Sequence, residues 1–475
     1  MQKQTQKIVT LLLFLCIAPL PGLFAQSISL ESNTLAGTKG QLPFWLWANQ
    51  LGQFDKNSSA IQNFSLNAFH EQQIGASDFK YKVGLDLDLL LADENDIRFT
   101  QLFGSMSWKF LQLQVGAFPE DEVYAGLSTT NGNLAASRNA RPHPKIRAGF
   151  NRFVPVMTEW FFINGFYEEG ILNDDRFVKD THLHRGALYF RFGQPKSIQV
   201  TVGIEHFVMW WGTHPVYGEF PGWEAYFEYL TASAGGNKVI EEEQLNAMGN
   251  SYGVYQMEFK KTWDKLNATL YISHPYEDHS GMEFVNYPDN LIGIHLDFNK
   301  KQAHLKNIVL EYFHTKNQSG AYLIGEAPDE NGRGRGIDDY FNHGLYLSGA
   351  TYDKMAMVSP LFGPVVIADG TSRGFESTRF AGFHLGSDGL FSETLHWKAL
   401  LTYSNNFGRH NGQGGTTIEP SRKQVSALGQ VSWQPPTKKL SISASVATDH
   451  GSLYDNGVTT TRLGAMFSFK YHFTK

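Results

Sequence analysis

The chain has a single cysteine, Cys16, and it lies within the first 25 residues. An exported product beginning after Ala25 therefore holds no disulfide and no cysteine-bound metal. Phe14 and Leu15 precede Cys16, where a lipidated cysteine would follow a small residue. Charge is also sparse. Asp, Glu, Lys and Arg make up 18% of the residues, and 40 basic against 46 acidic side chains leave a formal charge of -6. No basic excess exists to hold nucleic acid. Beyond the N-terminal segment no apolar run reaches the roughly 18 residues of a membrane-spanning helix, which excludes helical spans. Also absent are a His-Glu-x-x-His metal motif and a phosphate loop. The stretch GRGRG at Gly332 to Gly336 lacks the Lys-Ser/Thr and the strand-to-helix setting of a phosphate cradle, and reads as flexible loop.

What is present begins with an address. Lys3 and Lys7 precede an apolar run from Ile8 to Ala18, broken by Pro19, Pro21 and Gly22. That pattern is a secretory signal over 1–25 with cleavage after Ala25, leaving 26–475 as one domain without a Pro/Ser-rich linker or charge block. Aromatics reach 14%, with 36 Phe, 20 Tyr and 10 Trp, yet mean hydropathy is -0.30. Strands that alternate a lipid-facing with a lumen-facing side chain produce this combination. In the closing stretch RLGAMFSFKYHF, Arg462 to Phe473, the residues Phe467, Phe469, Tyr471 and Phe473 share one face at period two while Ser468, Lys470 and His472 share the other. The same alternation runs from Phe79 to Leu91 and, more weakly, over Phe110 to Phe118, Ile198 to Val208, Leu266 to His274, Leu395 to Tyr403, Val425 to Trp433 and Leu440 to Thr448.

The connections alternate in length. Short ones fall near Pro155 to Glu159, Gly193 to Ser197, Trp263 to Lys265, Asn299 to His304, Gly386 to Glu393 and Pro435 to Lys439. Long ones fall near 119–144, 170–184, 211–251, 275–290, 315–377, 408–423 and 451–460. Counting from about Pro43 gives about 18 strands, an even number that puts both termini at the short-turn end. The predicted fold class is all-β: a transmembrane outer-membrane β-barrel of about 18 antiparallel strands, with plug-like long loops and little helix. Its long loops would be extracellular and both termini periplasmic. Gly222 to Ala234 carries Trp223, Tyr226, Phe227 and Leu230 at helical spacing, predicting a short amphipathic helix that plugs the barrel or lies at an interface. The 315–377 segment is long enough to fold back as a hairpin or plug.

Several polar groups could carry chemistry: Glu120-Asp121-Glu122, His182 and His184 beside Arg185, Glu205-His206, and Glu277-Asp278-His279. Acidic triplets are ordinarily solvated loop charge, and two histidines at i, i+2 make half a metal site. No catalytic residue, metal or cofactor is expected. The long segments instead mix flat aromatics with amides and charges. Trp210, Trp211, His214, Trp223 and Tyr226 lie near Glu205 in sequence, and Arg138, Asn139 and Arg141 lie in another long loop. Aromatic faces stack on sugar rings, while amides, carboxylates and guanidinium groups satisfy hydroxyls and acidic substituents. These nine residues form the candidate glycan site, against the alternative that the Trp residues are interfacial girdle or plug core.

Segments along most of the chain resemble the Wzi-type capsule assembly family of outer-membrane proteins in its Bacteroidetes-like form. They are LPFWLWANQLG at 42–52, GNLAASRNARPHPKIRAG at 132–149, THLHRGALYFRFG at 181–193, GIEHFVMWWG at 203–212, HPYEDHSGMEFVNYPDNLIGIHL at 274–296, LEYFHTKNQSG at 310–320 and DDYFNHGLY at 338–346. The resemblance implies an 18-stranded Gram-negative outer-membrane barrel that binds and anchors or organises capsular or exopolysaccharide, lectin-like and non-enzymatic. Implied partners are that polysaccharide, outer-membrane lipid, the barrel assembly machinery during insertion and, as an open question, polysaccharide export components. The competing readings are a general or substrate-specific porin, which needs an open lumen, and a glycan-acting enzyme, which needs two carboxylates facing one cleft.

Overall fold

In a bilayer every backbone amide must be paired within the protein, and a sheet achieves this only by closing on itself. The computed structural model describes residues 27–233, 248–277, 279–298, 304–320, 338–410, 417–455 and 457–474. The signal segment with Cys16, Ala234, Asp278 and the GRGRG stretch lie outside them. Eighteen strands form the wall. They are β1 Ser27–Gly37, β2 Ala60–Gln73, β3 Phe79–Leu91, β4 Asp96–Trp108, β5 Leu111–Ala117 and β6 Pro144–Phe150. Next come β7 Phe161–Leu172, β8 Thr181–Phe192, β9 Ile198–Trp210, β10 Asn250–Thr262, β11 Asn267–Tyr276 and β12 Asn290–Asp297. The last six are β13 Asn307–His314, β14 Phe380–Ser392, β15 Leu395–Gly408, β16 Thr417–Trp433, β17 Leu440–Gly451 and β18 Thr460–Thr474. Each pairs antiparallel with its neighbours in sequence, and β18 closes the ring on β1 in unbroken register from Ser27 opposite Thr474 to Gly37 opposite Gly464.

Side-chain direction follows the period-two pattern. In β18 the outward Phe467, Phe469, Tyr471 and Phe473 are between 37% and 52% exposed, while Arg462 and Gly464 turn inward and are buried. In β3 Val83, Leu85, Leu87 and Leu89 face outward and Gly84, Asp86 and Asp88 face the lumen, buried. Apolar residues on the outside and polar ones within is the arrangement of a bilayer barrel, the reverse of a soluble sandwich.

The strand number agrees with the sequence reading, but the starting point does not. The first strand is Ser27–Gly37, and the region counted from Pro43 is a helical turn inside the lumen, Phe44–Trp47, all four residues buried. Four consecutive large apolar residues suit a site buried on every side, not a wall with one wet face. The 170–184 loop shrinks to 173–180, because Leu172 pairs with Thr181. The turn placed at Gly386 to Glu393 is only 393–394, since β14 continues to Ser392. The plug is built from 42–54, from 118–143 and from the described part of 315–379. That last part holds two small hairpins, Thr351–Tyr352 with Met355–Ala356 and Pro364–Val366 with Ser372–Phe375. Leu46, Leu127, Leu134, Phe341 and Phe362 are fully buried in a core that includes the wall residues Leu291, Val309, Phe313 and Phe380.

Adjacent positions of β5 offer a test. Val115 faces outward, 47% exposed, and Gln114 faces the lumen. Val115→Arg should lower the free energy of unfolding in liposomes by about 2–4 kcal/mol, whereas Gln114→Arg should change it by less than about 1 kcal/mol. Equal effects in urea titrations would contradict the assigned faces.

Candidate functional site

The side chains that fix the plug come from the inner faces of the strands. Glu120, in the 118–143 connection, receives Arg147 at 2.5 Å, Arg185 at 2.8 Å and Lys145 at 3.5 Å. Arg147 also donates to Glu168 at 2.6 Å, and Arg185 donates twice to Glu205, at 2.6 and 3.0 Å. Glu205 is buried and further accepts from Asn133 at 2.9 Å and from the Tyr189 hydroxyl. Gly203 lies opposite Tyr189, and a Cβ there would sit 2.1 Å from its ring, so glycine lets Tyr189 lie across the lumen face of the neighbouring strand to reach Glu205. Burial pushes the Glu120 carboxyl up, but Arg147, Arg185 and Lys145 outweigh it and hold Glu120 well below the usual carboxylate range.

Other wall residues hold the plug elsewhere. Glu311 accepts from Ser128 at 2.5 Å, from the Thr129 amide at 2.9 Å and hydroxyl at 2.6 Å, and from Tyr271 at 2.7 Å. Asp449 accepts the Phe44 amide at 3.0 Å, and Trp45 donates to Thr402 at 3.2 Å. Arg138, Asn139 and Arg141 all belong to this framework. Asn139, fully buried, accepts the Asn49 amide at 3.2 Å and donates to the Ala356 carbonyl at 3.0 Å. Arg141 pairs with Asp353 at 3.1 Å, and Arg138 donates to the Glu120 carbonyl. Glu277 accepts the Asp339 amide at 3.0 Å and that of Phe341. Burial, then Asp338 and Asp339 beside it, push its carboxyl well above the usual range. Among the described residues no group of three or more His, Cys, Asp or Glu is placed to hold a metal ion.

The aromatic residues assemble on the opposite side of the wall. Trp210 is five residues from Glu205 on the same strand, and an odd separation places the two on opposite faces. Trp210 therefore continues the outward row of Ile198, Val200, Val202, Ile204, His206 and Val208. Trp211 (φ 54°) and Gly212 (φ 104°) are left-handed, the ladder resumes beyond them at Thr213 opposite Lys179, and the chain turns back in the hairpin Thr213–His214 with Gly218–Glu219. A turn at Trp223–Ala225 leads into the short helix Tyr226–Leu230, whose Tyr226 and Tyr229, together with Met248, cover Val208 and Trp210 from outside. The amphipathic pattern over 222–234 is thus helical only to Leu230, and it clads the outer wall instead of entering the barrel. Trp210 is fully buried, donates to Glu169 at 3.3 Å and packs edge-on against Trp223 at 4.8 Å and Tyr226 at 4.7 Å. Tyr226 is buried and donates to Glu169, which also meets His184 at 2.6 Å. Trp211 stacks on His182 at 4.8 Å, and Trp223 is 58% exposed. His214 is buried, where it accepts the Val216 and Tyr217 amides at 3.1 Å.

Trp210, Trp211, Trp223 and Tyr226 therefore come together. Glu205 and the Arg138, Asn139, Arg141 group do not join them. His182, His184, Glu169, Tyr167 and exposed Phe227 complete the nest; of these, His182 and His184 were visible in sequence as a pair on the face opposite Arg185. Toward the short-turn end, beneath the plug, lies a polar cavity of about 560 Å³ bordered by Glu120, Glu205, Arg147, Arg185, Arg191 and Glu258. Here two carboxylates, Glu120 and Glu205, do share one guanidinium. Glu120 is held ionised by three cations and so is not suited to hold and deliver a proton as a glycosidase acid does, and the Glu205 oxygens are taken by Arg185, Asn133 and Tyr189.

The family model described as Capsule assembly protein Wzi matches residues 45–365. Among solved structures, an Escherichia coli protein described as Wzi, an outer membrane protein involved in group 1 capsule assembly and a carbohydrate binding β-barrel, is 12% identical. It superposes with a TM-score of 0.55 over 95% of this chain and 85% of its own, a likeness of fold. Pseudomonas aeruginosa OprD is 8% identical with a TM-score of 0.48, covering 94% of each chain. Pseudomonas aeruginosa OpdL is 10% identical with a TM-score of 0.47, covering 94% of this chain and 98% of its own. No curated protein matches the chain.

The ion network makes the plug testable. Glu120→Ala leaves Arg147 and Arg185 with Glu168 and Glu205 but removes their link to the plug. It should cost about 3 kcal/mol of unfolding free energy in micelles, the lower end for a broken buried pair, and should produce intermittent currents in planar bilayers. An unchanged urea midpoint with silent bilayers would show that the network is not what holds the plug.

Proposed function

The chain belongs to the capsule assembly protein Wzi family, and on that premise we propose that it binds capsular or exopolysaccharide through its long loops and anchors it to the outer membrane. It does so as a lectin, without cutting the polymer. The observation that carries the reading is the packed plug. A lumen whose loop half is filled by Phe44, Leu127, Leu134, Phe341 and Phe362 leaves the loop surface, not a channel, as the working face. The occupation of Glu120 by Arg147 and Arg185, and of Glu205 by Arg185, Asn133 and Tyr189, favours binding over hydrolysis.

In this reading the N-terminal 25 residues direct export and are removed, the short turns and both termini face the periplasm, and the long loops face outward. Barrel assembly factors insert the chain, and export components deliver the polymer to it. Of the candidate site residues, Trp223 and Trp211 are those left accessible for a sugar ring, with Phe227 beside them. Trp210, Tyr226 and His214 hold that loop in place. Glu205, Arg138, Asn139 and Arg141 hold the plug that supports it.

Cells lacking the protein should still synthesise polymer but release it into the medium, as seen by staining and by assaying the supernatant; loss of synthesis itself would overturn an anchoring role. Trp223→Ala should weaken retention about 2- to 12-fold, equivalent to about 0.5–1.5 kcal/mol for one stacking ring, with heat-modifiable gel mobility unchanged. Large steady currents from the unaltered protein would favour a porin instead.

A further inference from the structure

At the mouth of the barrel the first residues of β16 and the hairpin Pro364–Val366 with Ser372–Phe375 line a groove of about 750 Å³. Three guanidinium groups line it: Arg373, Arg409 and Arg422. They are held differently. Arg409 is committed to Asp339. Among the described residues Arg422 pairs with Glu376, at 3.9 Å, and Glu376 is 68% exposed. Such a long, solvated pair contributes little and yields readily to a competitor. Arg373 forms no ion pair among the described residues. Its guanidinium instead lies 4.0 Å from the Phe177 ring, which fixes the plane of the fork and leaves its N–H edges for an incoming acceptor.

The surroundings add the rest of a recognition surface. Ser421 and Ser452 supply hydroxyls, and Pro420 and Val458, the latter 64% exposed, supply apolar surface. The exposed Glu419 stands against a purely electrostatic anion trap and favours a ligand that pairs an acid group with neutral hydroxyls and an apolar ring face.

We propose that this groove binds acidic sugar residues of the polysaccharide, with uronic acid carboxylates received at Arg373 and at Arg422. Planar bidentate pairing of guanidinium with carboxylate is the strongest contact the groove offers. The proposal deepens the surface-polysaccharide reading by naming the chemical class of the ligand, and it rests on that reading.

The purified full-length protein in detergent would be titrated with oligogalacturonate and hyaluronan oligosaccharides, each alongside its carboxyl-reduced counterpart. Binding of at least one acidic probe is expected, at least tenfold tighter than its reduced form and weakening as salt rises. Arg373→Gln with Arg422→Gln should weaken it at least tenfold. Arg373→Lys, which keeps the charge but loses the fork, should fall between. Heat-modifiable mobility of each variant checks that the barrel is intact. Equal binding of acidic and reduced probes, no binding of either acidic probe, or an unaffected double variant would each overturn the acidic-sugar groove. Retention of native polymer by cells carrying the double variant separates the two levels. Full retention that still needs the protein leaves the anchoring role standing without this groove, whereas retention that needs no protein removes the anchoring role itself.

Discussion

The whole molecule depends on the hydrogen bonds between β1 and β18. Without that last pairing the sheet would have two bare edges within the membrane, each unpaired amide costing several kcal/mol where no water can reach it. The pairing runs over eleven partners, Ser27 through Gly37. Because closure fixes the wall without help from cysteine, the loop-end connections are released from any duty in holding strands together. They can then be long, and three of them turn inward and become a second folded layer.

That inner layer is attached by buried charge. Glu311, Asp449, Glu205, Arg147 and Arg185 project from the wall, and the plug answers with amides, hydroxyls and Glu120. Buried ion pairs contribute modestly to net stability compared with apolar packing, but an unmatched partner is costly. Such contacts therefore select one placement of the plug more than they strengthen it. Leu127 and its apolar neighbours supply the packing, and the carboxylates specify where along the wall that packing occurs.

Much of the wall was legible because alternation at period two reports directly which face is wet. Phe79 to Leu91 and the closing strand were read with their faces correct, and the strand number followed from the rhythm of the connections. Two things were hidden. Phe44 to Trp47 shows no alternation, so its burial within the lumen has no signature distinct from that of a wall strand. Glu120 looks like its neighbours Asp121 and Glu122, which are exposed as expected for loop acid; only the fold brings Arg147 and Arg185 to it. A third feature was legible but unused. Glu205 and Trp210 differ by an odd number of residues in one strand, so the wall itself separates them, however near they stand in sequence.

That separation bears on how a closed barrel could hold a polymer. The exposed ring of Trp223 lies on the outer flank, and the fork of Arg373 lies at the mouth, so no single deep site gathers them. A short ligand would gain little from two separate, shallow contacts. A polysaccharide presents the same groups at every repeat, and once one repeat is engaged the next is held near the second contact at high effective concentration, so weak sites multiply in their effect. Shallow contacts on a rigid, plugged wall are thus matched to a repeating chain. The plug serves this arrangement by keeping the mouth fixed, since multivalent gain is lost when the spacing between contacts wanders.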